Sequence, residues 1–368
     1  MRLILVINCG SSSAKYQLFD VGKHISLAKG LIERIGQADS CRDYYEAIEI
    51  IVARLTDKKK GAISSRDEIR GIGHRVVHGG EEFKSSVLIN EKVLKSILKY
   101  CELAPLHNPP SLSGIKACSK ILKGIKQVAV FDTSFHQTMP EKAFLYGIPF
   151  RYYEKHGIRK YGFHGTSHRF VAEKAAGRLG RPLKSLRLIT CHLGNGCSMT
   201  AVNRGRSVDT SMGLTPLEGL LMGTRSGDLD PAIVFYLIEK EKLSAESISD
   251  ILNKESGLLG VSGVSNDMRD LVKSTKSKTK SAKRSRLAID MFVYRIKKYI
   301  GAYFAAMGGL DAVVFTAGIG ENHPWLVRRI AVDLRNVVPE KVKFLVIPTN
   351  EELLIARDTY EIIKKRSA

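Results

Sequence analysis

Val6-Ile7-Asn8-Cys9-Gly10-Ser11-Ser12-Ser13-Ala14-Lys15-Tyr16-Gln17-Leu18-Phe19 has a counterpart later in the chain, Thr190-Cys191-His192-Leu193-Gly194-Asn195-Gly196-Cys197-Ser198-Met199-Thr200-Ala201-Val202. In each, an apolar run reaches a polar residue, then a small-residue loop, then a second strand-like run. Gly194 follows Gly10 by half of the 368 residues. A duplicated strand–loop–strand unit implies two related halves facing one cleft. Small residues let backbone N–H groups close on an anion. Two such loops could hold opposite ends of one polyphosphate. Taken alone, two ordinary hairpins with glycine turns would read the same way.

Outward from these loops, residues 3–7 and 15–19 read as one strand pair and residues 186–191 and 198–202 as another. Residues 72–77, 128–131, 312–315 and 344–347 read as further strands. Helical spacing marks residues 44–55, 231–241, 287–307 and 351–365. Residues 91–103 read as an amphipathic helix, stopped by Ala104-Pro105-Leu106-His107-Asn108-Pro109-Pro110. Strands alternate with helices, so the class is α/β. No Pro/Gly/Ser-rich linker separates the halves.

The hydrophobic share of 44% allows a full core, and the length allows two domains. Only five apolar residues lie between Arg2 and Asn8, too few for a signal-peptide core. No run approaches the ~20 residues of a membrane span. Six scattered cysteines form no CxxC pair and read as reduced thiols of a cytoplasmic protein. The net charge of +21 favours anionic partners. The densest basic stretch, Lys273–Arg286, has no aromatic residue for base stacking. It reads as a solvated loop and helix start rather than a nucleic-acid site.

Neither G-x-x-x-x-G-K-[ST], G-x-G-x-x-G nor G-x-S-x-G occurs. His164 and His168 have a spacing that would suit zinc, but no third ligand is evident. What remains is a set of polar residues at strand ends and in glycine loops: Asn8, Ser11, Ser13, Lys15, Arg75, His107, Asn108, Asp132, His164, Asn195, Arg225 and Gly318–Asn322. Parallel-sheet enzymes place their chemistry at such strand ends. Singly, each could be a cap, a core histidine or a turn former; their repeated placement argues for a site.

Nine ordered segments carry a family resemblance. They are Ile7-Asn-Cys-Gly-Ser-Ser-Ser, His74-Arg-Val-Val-His-Gly-Gly, Ala104-Pro-Leu-His-Asn-Pro-Pro, Phe131-Asp-Thr-Ser-Phe-His-Gln-Thr-Met-Pro, Tyr161-Gly-Phe-His-Gly-Thr-Ser-His, His192-Leu-Gly-Asn-Gly, Gly223-Thr-Arg-Ser-Gly-Asp, Phe315-Thr-Ala-Gly-Ile-Gly-Glu-Asn and Ile347-Pro-Thr-Asn-Glu-Glu-Leu. The chain resembles the acetokinase family of carboxylate kinases. The resemblance implies two duplicated ribonuclease-H-like domains, the fold of actin-like ATPases and of acetate and sugar kinases, around a central cleft. It implies an N-terminal domain over 1–147, with the final helix 350–368 packing back on it. Residues 148–349 would form a C-terminal nucleotide-binding and dimerisation domain, and the protein a homodimer.

The implied reaction is reversible transfer of the ATP γ-phosphoryl group to acetate, with Mg²⁺ (or Mn²⁺ in its place), giving acetyl phosphate and ADP. Asp132, His164, Arg225 and Arg75 resemble the family's catalytic residues, and Arg75 also its substrate arginine. Val77, Leu106, Phe163 and Pro216 resemble its methyl pocket. Ser11, Ser13 and Lys15 resemble its phosphate-facing hairpin. His192, Leu193, Gly194, Asn195, Gly196, Asp267, Met268, Arg269, Gly318, Ile319, Gly320, Glu321 and Asn322 resemble its ATP-binding segments. Asn8 and Glu351 resemble its metal-linked positions. Departures are Ala14 before the lysine, Cys197 after the second loop, and altered or shortened stretches at 36–70, 273–286 and 335–343. A propionate or other short-chain carboxylate kinase is the alternative, and a non-catalytic nucleotide-binding protein a more distant one.

Overall fold

The computed structural model describes residues 2–37 and 40–365. Residues 38 and 39, inside the stretch expected to be shortened, and residues 366–368, at the end of the expected final helix, lie outside the described residues. The chain divides into two compact units, Met1–Gln137 with Asn350–Ala368, and Thr138–Thr349.

The first unit is built on six strands: β1 (Leu3–Gly10), β2 (Ser13–Asp20), β3 (Ile25–Glu33), β4 (Ile69–Val76), β5 (Val87–Leu88) and β6 (Gln127–Phe131), in the order β3-β2-β1-β4-β6-β5. β1–β2–β3 is an antiparallel meander, and β4 and β6 run parallel to β1. Residues 3–7 are buried on both faces, so β1 is a continuous apolar run rather than an alternating one. Leu3, Leu5 and Ile7 pack with Ile48, Ile51 and Leu55 of the helix Tyr44–Leu55. Ile4 and Val6 point the other way, onto Ile355 and Ala356 of the final helix, Glu351–Lys365. Two glycines of β4 let that helix lie close: a methyl on Gly73 would come within 2.5 Å of Thr359 Oγ1, and one on Gly71 within 2.1 Å of Ile363 Cδ1.

The second unit repeats the plan with β7 (Arg187–Leu193), β8 (Cys197–Asn203), β9 (Arg206–Thr210), β10 (Ala312–Thr316) and β11 (Lys343–Val346), in the order β11-β10-β7-β8-β9. Again an antiparallel meander, β7–β8–β9, meets parallel neighbours, β10 and β11. The first loop spans two residues between the paired Gly10 and Ser13, and the second three residues between Leu193 and Cys197.

Three expectations are corrected. The helix expected over 91–103 ends at Lys99, where Asn108 Nδ2 donates to the Ile97 carbonyl at 3.3 Å. The prolines expected to stop that helix instead open the next, Asn108–Ile121, with Pro in its first turn, where a missing N–H costs nothing. The helix expected from Leu287 begins at Lys280, because Thr279 caps it by accepting from Ala282 N at 3.2 Å. No helix among the described residues is long and apolar enough to cross a membrane.

Candidate active site

In the first unit the strand ends gather charge. Arg75 is the penultimate residue of β4, and Asp132 follows β6 directly. Arg75 donates from Nη2 to Asp132 Oδ2 at 2.6 Å and from Nε to the same oxygen at 3.1 Å. Arg75 Nε also lies 3.8 Å from Glu351 Oε2, at the start of the final helix. Asp132 is 1% exposed, so its charge depends on such partners. Burial alone would lower the Arg75 guanidinium; the Asp132 and Glu351 carboxylates outweigh it and push it up. Burial raises the Glu351 carboxyl to about 7, against the pull of Arg75. Lys15 on β2 pairs with Glu352. Asn8 sits opposite Lys15 in the β1–β2 register. Val77 is half-buried and Leu106 is 64% exposed.

The oxygen donors of Asn8, Asp132 and Glu351 fit a hard cation. Glu351 Oε2 is buried and accepts no hydrogen bond among the described residues. No three His, Cys, Asp or Glu side chains among the described residues form a complete cage. Mg²⁺ keeps several waters and takes one or two carboxylates, so it asks for less than that.

In the second unit the strand ends gather imidazoles and hydroxyls. His164 has a left-handed backbone (φ 57°), uncommon for a residue with a side chain. Its ring stacks on His192 with centroids 4.2 Å apart. His164 Nδ1 meets Ser198 Oγ at 2.9 Å, and His192 Nδ1 meets Ser167 Oγ at 2.8 Å. Arg225 Nη1 donates to the Pro216 carbonyl at 3.2 Å. Burial lowers the Arg225 guanidinium, which stays charged near neutrality. A methyl on Gly196 would stand 3.3 Å from Arg225 Nη1 and 3.5 and 3.6 Å from His164 Cε1 and Nε2, so both side chains border one point above the second loop. Phe163 is buried and Pro216 half-buried.

A cavity of about 590 Å³ opens beside this loop. Gly194, Asn195, Asp267, Met268, Arg269, Gly318, Ile319 and Asn322 line it, all foreseen as nucleotide residues. Asn266 and His323 line it as well and were missed. Asn266 Nδ2 donates to Asn195 Oδ1 at 3.0 Å. Asp267 caps the helix Met268–Ser274 and holds Arg269, Nη2 to Oδ2 at 2.5 Å; that hydrogen bond holds the Asp267 carboxyl down at about 2. His192, Leu193, Gly196, Gly320 and Glu321 do not line the cavity. Leu193 is fully buried, and Glu321 Oε1 accepts from Ala317 N at 2.7 Å and Thr349 N at 3.2 Å, fastening the scaffold. Ser11, Ser13 and Lys15 lie in the first unit. Both His168 ring nitrogens are engaged by hydroxyls, Nδ1 by Thr190 and Nε2 by Ser198, each at 2.7 Å. The His164–His168 spacing, set aside as a zinc pair for want of a third ligand, gave no sign of that network.

Residues 3–338 match the model of the acetokinase family. The chain is 50% identical to an acetate kinase of Halothermothrix orenii, over 98% of this chain and 99% of that protein. It is 52% identical to an acetate kinase of Heliobacterium modesticaldum, over 98% of this chain and all of that protein. The first alignment runs over 406 positions against 368 residues, so that relative carries stretches this chain lacks. Among solved structures, an acetate kinase of Porphyromonas gingivalis superposes with a TM-score of 0.94 at 43% identity, covering 98% of this chain and 99% of that one. A propionate kinase of Francisella tularensis superposes at 0.91 and 42% identity, covering 98% and 100%. Near-complete matches of sequence and of both sheets agree with the order of the nine segments: the chain belongs to the acetokinase family.

Proposed function

We propose that the chain transfers the ATP γ-phosphoryl group reversibly to acetate, giving acetyl phosphate and ADP. The supporting observation is that a member of this family keeps Arg75 locked on Asp132, and brings His164 and Arg225 to one point above Gly196. An acetate oxygen attacks the γ-phosphorus in line, and the bond to the ADP oxygen breaks. Acetate is already an anion at neutral pH, so no strong base is required. The difficulty is bringing an anion up to a polyanion, which calls for cations and donors around the transferring group.

Arg75 holds the acceptor carboxylate, with Asp132 fixing the guanidinium. His164 and Arg225 stabilise the phosphoryl oxygens. Val77, Leu106, Phe163 and Pro216 are assigned to the methyl group, as the family resemblance implies. The cavity residues Gly194, Asn195, Asp267, Met268, Arg269, Gly318, Ile319 and Asn322 take the nucleotide, with His192, Leu193, Gly196, Gly320 and Glu321 as the framework behind them. Ser11, Ser13 and Lys15 face phosphate. Asn8 and Glu351, with Asp132, hold Mg²⁺ (or Mn²⁺) largely through water; the metal supplies charge neutralisation when bound.

Trapping the acyl phosphate with hydroxylamine, across formate, acetate, propionate and butyrate, tests this reading. Acetate is expected to be the best acceptor, and a best rate with butyrate overturns it. Excess chelator is expected to abolish the activity.

We assign the working form to a homodimer in the cytoplasm. The helix Ala232–Glu241 buries none of its residues and exposes Phe235 and Tyr236 by 66% and 60%. That apolar face suits a second copy. Light scattering should give twice the chain mass, and Phe235→Glu should give the monomer.

A further inference from the structure

His164 faces the transferring group through Nε2, yet its usefulness depends on which ring nitrogen bears the proton. Three buried side chains settle that. Thr190, on β7, is fully buried. Its side chain's one hydrogen bond among the described residues joins Oγ1 to His168 Nδ1 at 2.7 Å. A buried hydroxyl proton needs an acceptor, so Thr190 donates and His168 Nδ1 accepts. His168 is itself fully buried, which favours the neutral ring. Its proton is therefore on Nε2, which donates to Ser198 Oγ at 2.7 Å. A serine hydroxyl has one proton. That of Ser198 is left for His164 Nδ1, at 2.9 Å. His164 then carries its proton on Nε2, the atom 3.6 Å from the point above Gly196 that Arg225 Nη1 also faces. The reverse order would bury the Thr190 proton without an acceptor. It would also turn a bare lone pair toward an anionic phosphoryl group.

We propose that Thr190, His168 and Ser198 are positioning residues that fix His164 as the neutral Nε2–H tautomer, a hydrogen-bond donor to the phosphoryl group in transfer. The last clause rests on the role given to His164 above; the tautomer itself does not. The hydroxyls of Thr190 and Ser198 thus act through their protons. A packing role for Thr190 would be served equally by valine, which has the same shape.

Long-range ¹H–¹⁵N correlation on the full chain with ¹⁵N-labelled histidine rings tests the order directly, with His164→Gln identifying the His164 signals. The expected spectrum has His164 and His168 both bare at Nδ1 and protonated at Nε2. Thr190→Val should turn both into tautomer mixtures and lower kcat about tenfold or more, bounded by the roughly 10²–10³ of losing one such donor, at unchanged KM for acetate and ATP. Thr190→Ser should restore both readouts. Ser198→Ala should free His164 while His168 keeps its bare Nδ1. A wild-type His164 protonated at Nδ1 overturns the proposal, as does a Thr190→Val protein with the wild-type His164 pattern. Should Thr190→Val not fold, the wild-type and Ser198→Ala spectra still decide. The spectrum requires no turnover, so failure of the kinase reading would show in the hydroxylamine assay and failure of the relay in the spectrum.

Discussion

The two units share a meander joined to parallel strands, but the ends of their strands carry opposite chemistry. Around β4 and β6, two cations and three carboxylates interlock: Arg75 and Lys15 with Asp132, Glu351 and Glu352. Around β7 and β8 the groups are imidazoles and hydroxyls, with Arg225 as the cation beside them. On the proposed reading, a duplicated scaffold separates tasks. Interlocked charges suit a small carboxylate and a hydrated metal, which need fixed counter-charge. Imidazoles and hydroxyls beside a 590 Å³ cavity suit an extended nucleotide.

The largest expected effects come from the two arginines, and they should differ in kind. Arg225→Ala removes a charge whose one hydrogen bond among the described residues goes to the Pro216 carbonyl. It should cut kcat on the order of 10²–10³-fold or more with little change in unfolding free energy. Arg75→Ala should cut turnover as deeply and also destabilise the first unit by about 3 kcal/mol or more. It takes the guanidinium from Asp132, which is 1% exposed. Denaturant titration beside steady-state kinetics reads both. Equal stability loss in the two variants would erase the distinction.

A smaller effect concerns the acceptor. Val77 is half-buried just beyond β4. Enlarging the pocket by Val77→Ala should raise the propionate-to-acetate ratio of kcat/KM by an amount equivalent to about 1–3 kcal/mol. An unchanged ratio with lowered stability would make Val77 a packing residue only.

His74 on β4 gives an effect on stability alone. Burial lowers its ring from 6.5 to about 4, partly offset by its 2.7 Å contact with Gln127 Oε1. A lowered folded-state value means that the stability is complete above pH 6.5 and is lost as pH falls toward 4. The loss is at most about 3 kcal/mol. His74→Gln, which cannot titrate, should flatten that part of the unfolding profile; an identical profile would count against it.

The smallest effect belongs to the basic stretch. Lys273, Lys276, Lys278, Lys280 and Lys283 are exposed, whereas Arg284 and Arg286 bond to the carbonyls of Val261 and Ser277, each at 2.8 Å. Changing the five lysines to glutamine should leave the saturated rate unaltered. A large fall would give this stretch a role in the chemistry.

Much of this was legible in the sequence because repetition and strand ends leave one-dimensional marks. The Gly10 and Gly194 loops, the buried runs leading to Arg75 and Asp132, and the strand-end segment at 318–322 could all be read in order; residues 267–269 came only from the family resemblance. Contacts between distant hydroxyls and imidazoles could not. Thr190 and Ser198 look like ordinary strand residues, and His168 only like a second histidine near the first. Asn266 and His323 line the cavity through loop geometry that no spacing encodes. Pro109 and Pro110 were misleading because proline ends a helix from within but opens one from its first turn. β3, with few of its residues fully buried, carries little alternation to betray it.

The division of labour is tested most directly by titrating ADP calorimetrically into the wild type, Arg75→Ala and Gly318→Leu. Gly318 lines the cavity and has open space where a side chain would start, so leucine should fill it without strain. Gly318→Leu is expected to weaken ADP binding at least about tenfold, roughly 1.4 kcal/mol, while Arg75→Ala binds ADP as the wild type does. ADP binding lost in Arg75→Ala but kept in Gly318→Leu would contradict the account.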